Sequence, residues 1–151
     1  VDSIYDQVRN LSKDLNIKNK FSNNLEEILD NLVEEMCSSF QNVELNIFPK
    51  EKLNSINDQE FINAVSLTAK ELITNIIKHA KAQNITLDLT AHNDNIVLII
   101  SDDGIGFNNN KYGLGLKNIN DRAVLYEGEM TIDSSTKKGT SVTVKFLFNF
   151  D

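Results

Sequence analysis

Glu71-Leu72-Ile73-Thr74-Asn75-Ile76-Ile77-Lys78-His79-Ala80 ends a long stretch in which two faces of a helix are written at once. Ile62, Val65, Ala69, Leu72, Ile76 and Ala80 recur at helical spacing and form one apolar stripe. Glu71, Asn75 and Lys78 fall at i, i+4 and i+7 on another face, so that a carboxylate, an amide and an ammonium share one ridge. Such a ridge suits a magnesium ion and phosphates. Asn offers an uncharged oxygen ligand, Glu a base or water-orienting group, and Lys a counter-charge. The same three residues also suit a plain solvated face with a Glu–Lys pair. Asp58 is placed to cap the start of this helix.

Downstream, the apolar run Ile96 to Ile100 leads into Asp102-Asp103-Gly104-Ile105-Gly106. A carboxylate at the end of such a strand is costly unless something donates to it. An exocyclic amino group of adenine is one such donor, and accepting from it distinguishes adenine from guanine. Gly104 and Gly106 would let the backbone come close to a flat base. An Asp-Gly turn closing a strand would read the same way. Gly113-Leu114-Gly115-Leu116 then opens a further helical pattern, with Leu116, Ile119 and Ala123 at i, i+3 and i+7. Two glycines before a helix expose unpaired N–H groups at its positive end, a cradle for phosphate or simply a glycine turn.

The remaining pattern supplies the layers. Leu25, Ile28, Leu29, Leu32, Val33 and Met36 define a helix reaching to about Phe40, with Ser22 or Asn23 as its cap. Val43, Leu45 and Ile47 alternate with polar residues up to Pro49. Ile85, Leu87 and Leu89 alternate likewise, and the turn His92-Asn93-Asp94-Asn95 joins them to Ile96–Ser101 as a hairpin. Gly128 ends the helix after Gly113 or begins the turn beyond it. Met130 and Ile132 mark one strand; Val142, Val144, Phe146 and Phe148 mark the last, which Gly139-Thr140 enters. Ile4, Val8, Leu11 and Leu15 are spaced as a further, N-terminal helix. Strands together with helices able to cover one face make this an α+β protein, a two-layer α/β sandwich with an N-terminal helical segment.

The chain has 151 residues, enough for one domain with a substantial core. A net charge of -7 argues against nucleic acid as a partner and leaves an anionic ligand dependent on local donors. One cysteine, Cys37, in an apolar helical stretch, excludes an intramolecular disulfide framework and fits a buried thiol in a reducing, cytoplasmic setting. No apolar run reaches the ~20 residues that span a bilayer, so no membrane contact is expected of this segment. The start at Val1 rather than Met is read as that of a fragment, whose full-length form could be anchored upstream.

Taken in order, the three glycine- and asparagine-bearing stretches resemble the N, G1 and G2 boxes of the GHKL ATP-binding superfamily. The wording Asn75-Ile76-Ile77-Lys78-His79-Ala80, with Gly113-Leu114-Gly115-Leu116-Lys117-Asn118-Ile119 through Arg122-Ala123, is similar to the NarL-linked class of sensor histidine kinases. The resemblance covers Asp58 to Phe148 and implies a Bergerat-type fold. It also implies ATP and magnesium as cofactors, with a two-component signalling role.

On that resemblance Asp102 holds adenine, helped by Thr140. Asn75 holds magnesium, with Glu71 ordering the metal or the activating water. Lys78, His79, Gly113, Leu114, Gly115 and Leu116 line the phosphates. Residues 1–20 correspond to the end of a dimerisation helix and its linker, and 21–151 to the catalytic domain. The implied partners are a dimerisation and histidine-phosphotransfer domain, a second copy of the kinase, and a response regulator. Two features depart from the broader pattern. Only six residues, Phe107 to Tyr112, separate the second and third boxes, which makes the lid short. Neither His79 nor His92 stands in the His-acidic setting of a phosphoacceptor. An anti-sigma-factor-type serine kinase and a non-catalytic nucleotide-sensing module are the alternatives.

Overall fold

The computed structural model describes residues 24–106, 114–135 and 139–150. Four helices, α1 (Leu25–Met36), α2 (Lys50–Asn54), α3 (Gln59–His79) and α4 (Leu114–Leu125), accompany five strands. These are β1 (Asn42–Phe48), β2 (Asn84–His92), β3 (Asn95–Asp102), β4 (Met130–Ser135) and β5 (Gly139–Leu147). The strands form one sheet in the order β1-β2-β3-β5-β4, with β1 parallel to β2 and every other pair antiparallel. The two-layer α+β sandwich expected from the sequence is the fold that forms. The N-terminal helical segment, residues 1–20, lies outside the described residues.

Local chemistry sets each boundary. The Asp58 side chain accepts from the Phe61 N–H at 3.2 Å and starts α3 where the sequence places its cap. The first helix is capped instead by Asn24, which accepts from Glu27 N–H at 2.9 Å. It stops at Met36, four residues short of Phe40, where the Cys37 N–H closes on the Val33 carbonyl and a turn follows. Between β1 and α3 the structure adds α2, a helix of five residues that periodicity cannot reveal because it is barely longer than one turn. The β2–β3 hairpin turns at Asn93, which adopts φ 55°, a conformation that asparagine tolerates.

The core lies between the helices and one face of the sheet. Every residue of the predicted α3 stripe, Ile62, Val65, Ala69, Leu72, Ile76 and Ala80, is buried. The strand rows opposite them run across the sheet by register. Leu89 faces Leu98 and Leu98 faces Val144; Leu87 faces Ile100 and Ile100 faces Val142. The next row changes character: Ile85 is paired with Asp102, Asp102 with Thr140, and Thr140 with Ser134. One end of an otherwise apolar face is therefore polar.

At the other end, Phe61 is fully buried with its ring 5.2 Å from Tyr126, 5.8 Å from Phe146 and 4.5 Å from Phe148. It joins the start of α3, the turn after α4 and the end of the sheet through edge-on and tilted contacts. The start of β2 is tied differently. The Asp103 carboxylate accepts from the N–H groups of Gln83 and Asn84, both at 2.9 Å, and from the Asn84 side-chain amide. Cys37 is buried, and burial pushes its thiol pKa up, as expected of an inert structural cysteine.

Two stability outcomes follow from these ties. Phe61→Ala leaves a cavity bounded by three aromatic rings and is expected to cost about 3–5 kcal/mol, measured as a fall in urea midpoint at unchanged slope. The Asn84 backbone N–H first, then its side-chain amide and Gln83, hold the Asp103 carboxyl below its ordinary pKa. A depressed carboxylate contributes stability above its unfolded pKa and loses it as pH falls through the folded value. The stability gap between wild type and Asp103→Ala is thus expected to be present at neutral pH and to close on acidification through the carboxylate range. A gap constant across that range in urea titrations would remove the role given to Asp103.

Candidate nucleotide site

The polar end of the inner sheet face and the C-terminal half of α3 meet in a pocket of roughly 270 Å³, counted out to solvent. Leu72, Asn75 and Ile76 of α3, Ile100 and Asp102 of β3, Leu116 of α4, and Thr140 and Val142 of β5 line it. Its walls are thus mainly aliphatic, with three polar side chains set among them, the composition of a small-molecule pocket.

Asp102 is 7 % exposed and points inward because it lies at an even spacing from Ile96, Leu98 and Ile100 on the same strand. Its Oδ1 accepts from the Gly104 N–H at 2.8 Å. Burial raises its pKa; the Gly104 bond lowers it and the neighbouring Asp103 charge raises it further. An ionised carboxylate accepts about four hydrogen bonds, so Asp102 has acceptor capacity left to offer a ligand. Directly across the ladder stands Thr140, 6 % exposed, whose hydroxyl is 2.9 Å from the Ser134 hydroxyl.

Two glycines next to Asp102 are closely packed against backbone. Gly104 packs on the end of α3: a Cβ there would overlap the Ala80 carbonyl, which accepts from the Ile105 N–H at 2.8 Å. The fold itself therefore requires the absence of a side chain at Gly104. Gly139 adopts φ 84° and its Cα lies against the Asp102 carbonyl, where a side chain would collide. Gly106 also takes a positive φ, 83°.

On α3, Asn75 is half-buried in the pocket wall and makes no side-chain hydrogen bond to another described residue. Glu71 lies one turn earlier. It does not pair with Lys78, which is two turns away; its carboxylate meets Arg122 of α4 at 3.1 Å. Lys78 and His79 are exposed at the end of the helix. Leu114 and Gly115 form the first turn of α4, Leu116 is buried in the pocket, and Gly113 lies outside the described residues. The structure therefore brings Asn75, Asp102, Leu116 and Thr140 into one pocket, with Glu71 beside it and Lys78 and His79 at its helix end.

Sequence reasoning did not single out Asp103, Ser134 or Arg122 for a role. Ser134 continues the Met130, Ile132 alternation and could have been found from it. The partners of Asp103 and Arg122 are 19 to 20 and 51 to 54 residues away in sequence, beyond any local pattern.

Comparison with known proteins identifies the family. Residues 62–149, more than half of the chain, match the family model described as histidine kinase-, DNA gyrase B- and HSP90-like ATPase. An uncharacterized sensor-like histidine kinase of Chloroflexus aurantiacus is 34 % identical over 129 residues, covering 80 % of this chain and 21 % of that protein. The oxygen sensor histidine kinase NreB of Staphylococcus carnosus is 34 % identical over 92 residues, covering 58 % of this chain and 26 % of its own length. The chain thus spans about a quarter or less of these relatives. Among solved structures, the Acinetobacter baumannii histidine kinase AdeS superposes with a TM-score of 0.65 at 18 % identity, over 98 % of this chain and 83 % of that one. That likeness speaks for the fold. Among the described residues no helix is long and apolar enough to cross a membrane. The chain belongs to the histidine kinase-, DNA gyrase B- and HSP90-like ATPase family.

Proposed function

We propose that this chain is the catalytic domain of a sensor histidine kinase, which binds magnesium-ATP and presents its γ-phosphate to a histidine on a dimerisation domain, for onward transfer to a response regulator. The observation that carries this reading is the pocket shared by buried Asp102 and by Asn75, whose side chain has no hydrogen-bond partner among the described residues. A carboxylate with spare acceptor capacity beside such an amide is what an adenine nucleotide and its metal would satisfy.

In this reading Asp102 accepts from the adenine amino group, and the Thr140 hydroxyl, braced by Ser134, contributes a second polar contact. Leu72, Ile76, Ile100, Leu116 and Val142 exclude water from the faces of the base. No three His, Cys, Asp or Glu side chains converge among the described residues, so an all-protein metal cage is not what these residues build. The donor set fits magnesium in its usual nucleotide-borne form, with Asn75 giving a side-chain oxygen and Glu71 orienting water. Lys78 and His79 steady the phosphates through charge, together with the backbone N–H groups at the start of α4, Leu114 and Gly115. Bound magnesium-ATP supplies the phosphoryl group and neutralises its developing charge. This chain contributes position, and no covalent enzyme intermediate is required.

Asp102→Asn tests the adenine contact. The amide can present a donor where an acceptor is needed, and losing one charge-assisted hydrogen bond costs about 1.5–3 kcal/mol, roughly a tenfold to hundredfold weakening of ATP in calorimetry. Acidification is expected to weaken ATP binding to wild type as Asp102 protonates, starting above the ordinary carboxylate range because its pKa is raised. The variant should lack that component; titration of the nucleotide itself is common to both proteins. Unchanged affinity in a folded Asp102→Asn protein would remove the adenine assignment.

Phosphoryl transfer gives the second test. The isolated chain is expected to bind ATP without labelling itself, and to label a histidine-bearing dimerisation domain supplied in trans. His79 ends the nucleotide helix and His92 ends β2 at the hairpin, and neither setting resembles an acceptor helix. Acid treatment after incubation with γ-labelled ATP distinguishes phosphohistidine, which hydrolyses, from phosphoserine, which survives. Acid-labile label on this chain alone would reveal an acceptor within it, and acid-stable label on a supplied anti-sigma antagonist would establish the serine-kinase alternative.

A further inference from the structure

Arg122 lies on α4 with its guanidinium turned onto α3. Its Nη2 donates to Glu71 Oε1 at 3.1 Å, and its Nη1 donates to Glu71 Oε2 at 3.5 Å and to Thr68 Oγ1 at 3.2 Å. Thr68 is fully buried, and its own hydroxyl donates to the Ala64 carbonyl at 2.7 Å. Its proton is therefore committed, and an oxygen lone pair faces Arg122. One fixed acceptor and two carboxylate oxygens together hold the planar guanidinium, an arrangement that a lysine ammonium cannot reproduce. The Arg122 and Glu71 side chains are 19 % and 29 % exposed, so solvent screens the pair only in part.

The position of this pair matters as much as its geometry. Leu72 and Ile76 of α3 share the pocket with Leu116 of α4, whereas Thr68 and Glu71 meet Arg122, six residues later on α4. The two helices therefore run in opposite directions, and the pair stands immediately behind the pocket, one turn before Asn75. A carboxylate accepts about four hydrogen bonds, and the guanidinium uses one site on each Glu71 oxygen. The remaining lone pairs keep a fixed direction because the side chain cannot rotate without breaking the fork.

We propose that Arg122 is a positioning residue for the metal and phosphate end of the site: its guanidinium fixes the Glu71 carboxylate so that its unused lone pairs accept from water on a magnesium ion held at Asn75. The proposal rests on the assignment of Glu71 and Asn75 to magnesium-ATP. A mere strut between helices would make the same contacts but would affect stability without affecting magnesium.

Calorimetric titration of this chain with ATP, once with magnesium and once with a chelator, separates the two. The quantity read is the ratio of the two affinities. Glu71→Gln is expected to reduce that ratio by roughly tenfold. Arg122→Met is expected to reduce it by a similar factor, and the double variant by no more than either single one. Arg122→Lys, which keeps the charge and loses the fork, restores only part of the ratio and stands in should Arg122→Met fail to fold. If Glu71→Gln lowers the ratio but Arg122→Met does not, or if the two losses multiply in the double variant, Arg122 acts by another route and the inference fails alone. Full restoration by Arg122→Lys overturns the role of the fork. If Glu71→Gln leaves the ratio unchanged, the assignment of Glu71 to magnesium fails first and the inference falls with it.

Discussion

A carboxylate at the buried end of an apolar strand constrains everything around it. Asp102 continues the inward row of Ile96, Leu98 and Ile100, so strand geometry gives it no route to solvent on the other face. Among the described residues its partial desolvation is offset by one N–H, that of Gly104. For that N–H to arrive, the chain must fold back at once against the end of α3, and Ala80 leaves no room for a side chain at Gly104. On the other flank, β5 comes close enough to pair Thr140 with Asp102 only because Gly139 carries no Cβ. The glycines around the site are thus consequences of where the carboxylate sits.

The long helix α3 works in the same way at larger scale. One stripe is consumed by the sheet, which fixes the helix in rotation, and rotation then decides what its other residues meet. Asn75 falls at the boundary between core and pocket. Glu71 and Thr68, one and two turns earlier, fall against α4 and are engaged by Arg122. Because α4 begins at the pocket and runs back along α3, the Arg122 contact also fixes how Leu116 is delivered to the site. Packing and chemistry share one set of helical angles, so a change in the stripe would propagate to the ridge.

Most of this was legible in the sequence because most of it is local. The α3 stripe, the Asp58 cap, the hairpin and the alternation of β5 are each written within a dozen or two residues, and the structure keeps them. Asp102 was legible as an anomaly, a charge at the end of an apolar run. What local pattern could not supply was pairing between distant elements. The parallel alignment of β1 with β2 joins strands separated by two helices. The fork between Arg122 and Glu71 spans 51 residues. Periodicity states which face of an element is apolar but not what will lie against it. For that reason Gly104 reads in the sequence as a close backbone approach or a turn, while the fold shows that a Cβ there would meet Ala80.

Adjacent carboxylates at this corner carry opposite thermodynamic signs, and the contrast separates scaffold from site. Asp103, turned outward, is stabilised as an anion by three donors from Gln83 and Asn84, and its ionisation favours the folded state. Asp102, turned inward, has its pKa raised first by burial. A carboxyl whose folded pKa exceeds the unfolded one adds stability when protonated and loses it as pH rises through the folded value. The two neighbours of Asp102 in the row, Ile85 and Thr140, bring no charge to offset that burial. An unfavourable charge held by an otherwise well-packed framework is the expected state of a group whose remaining partner comes from outside the chain, and the pocket in front of Asp102 is where that partner would enter.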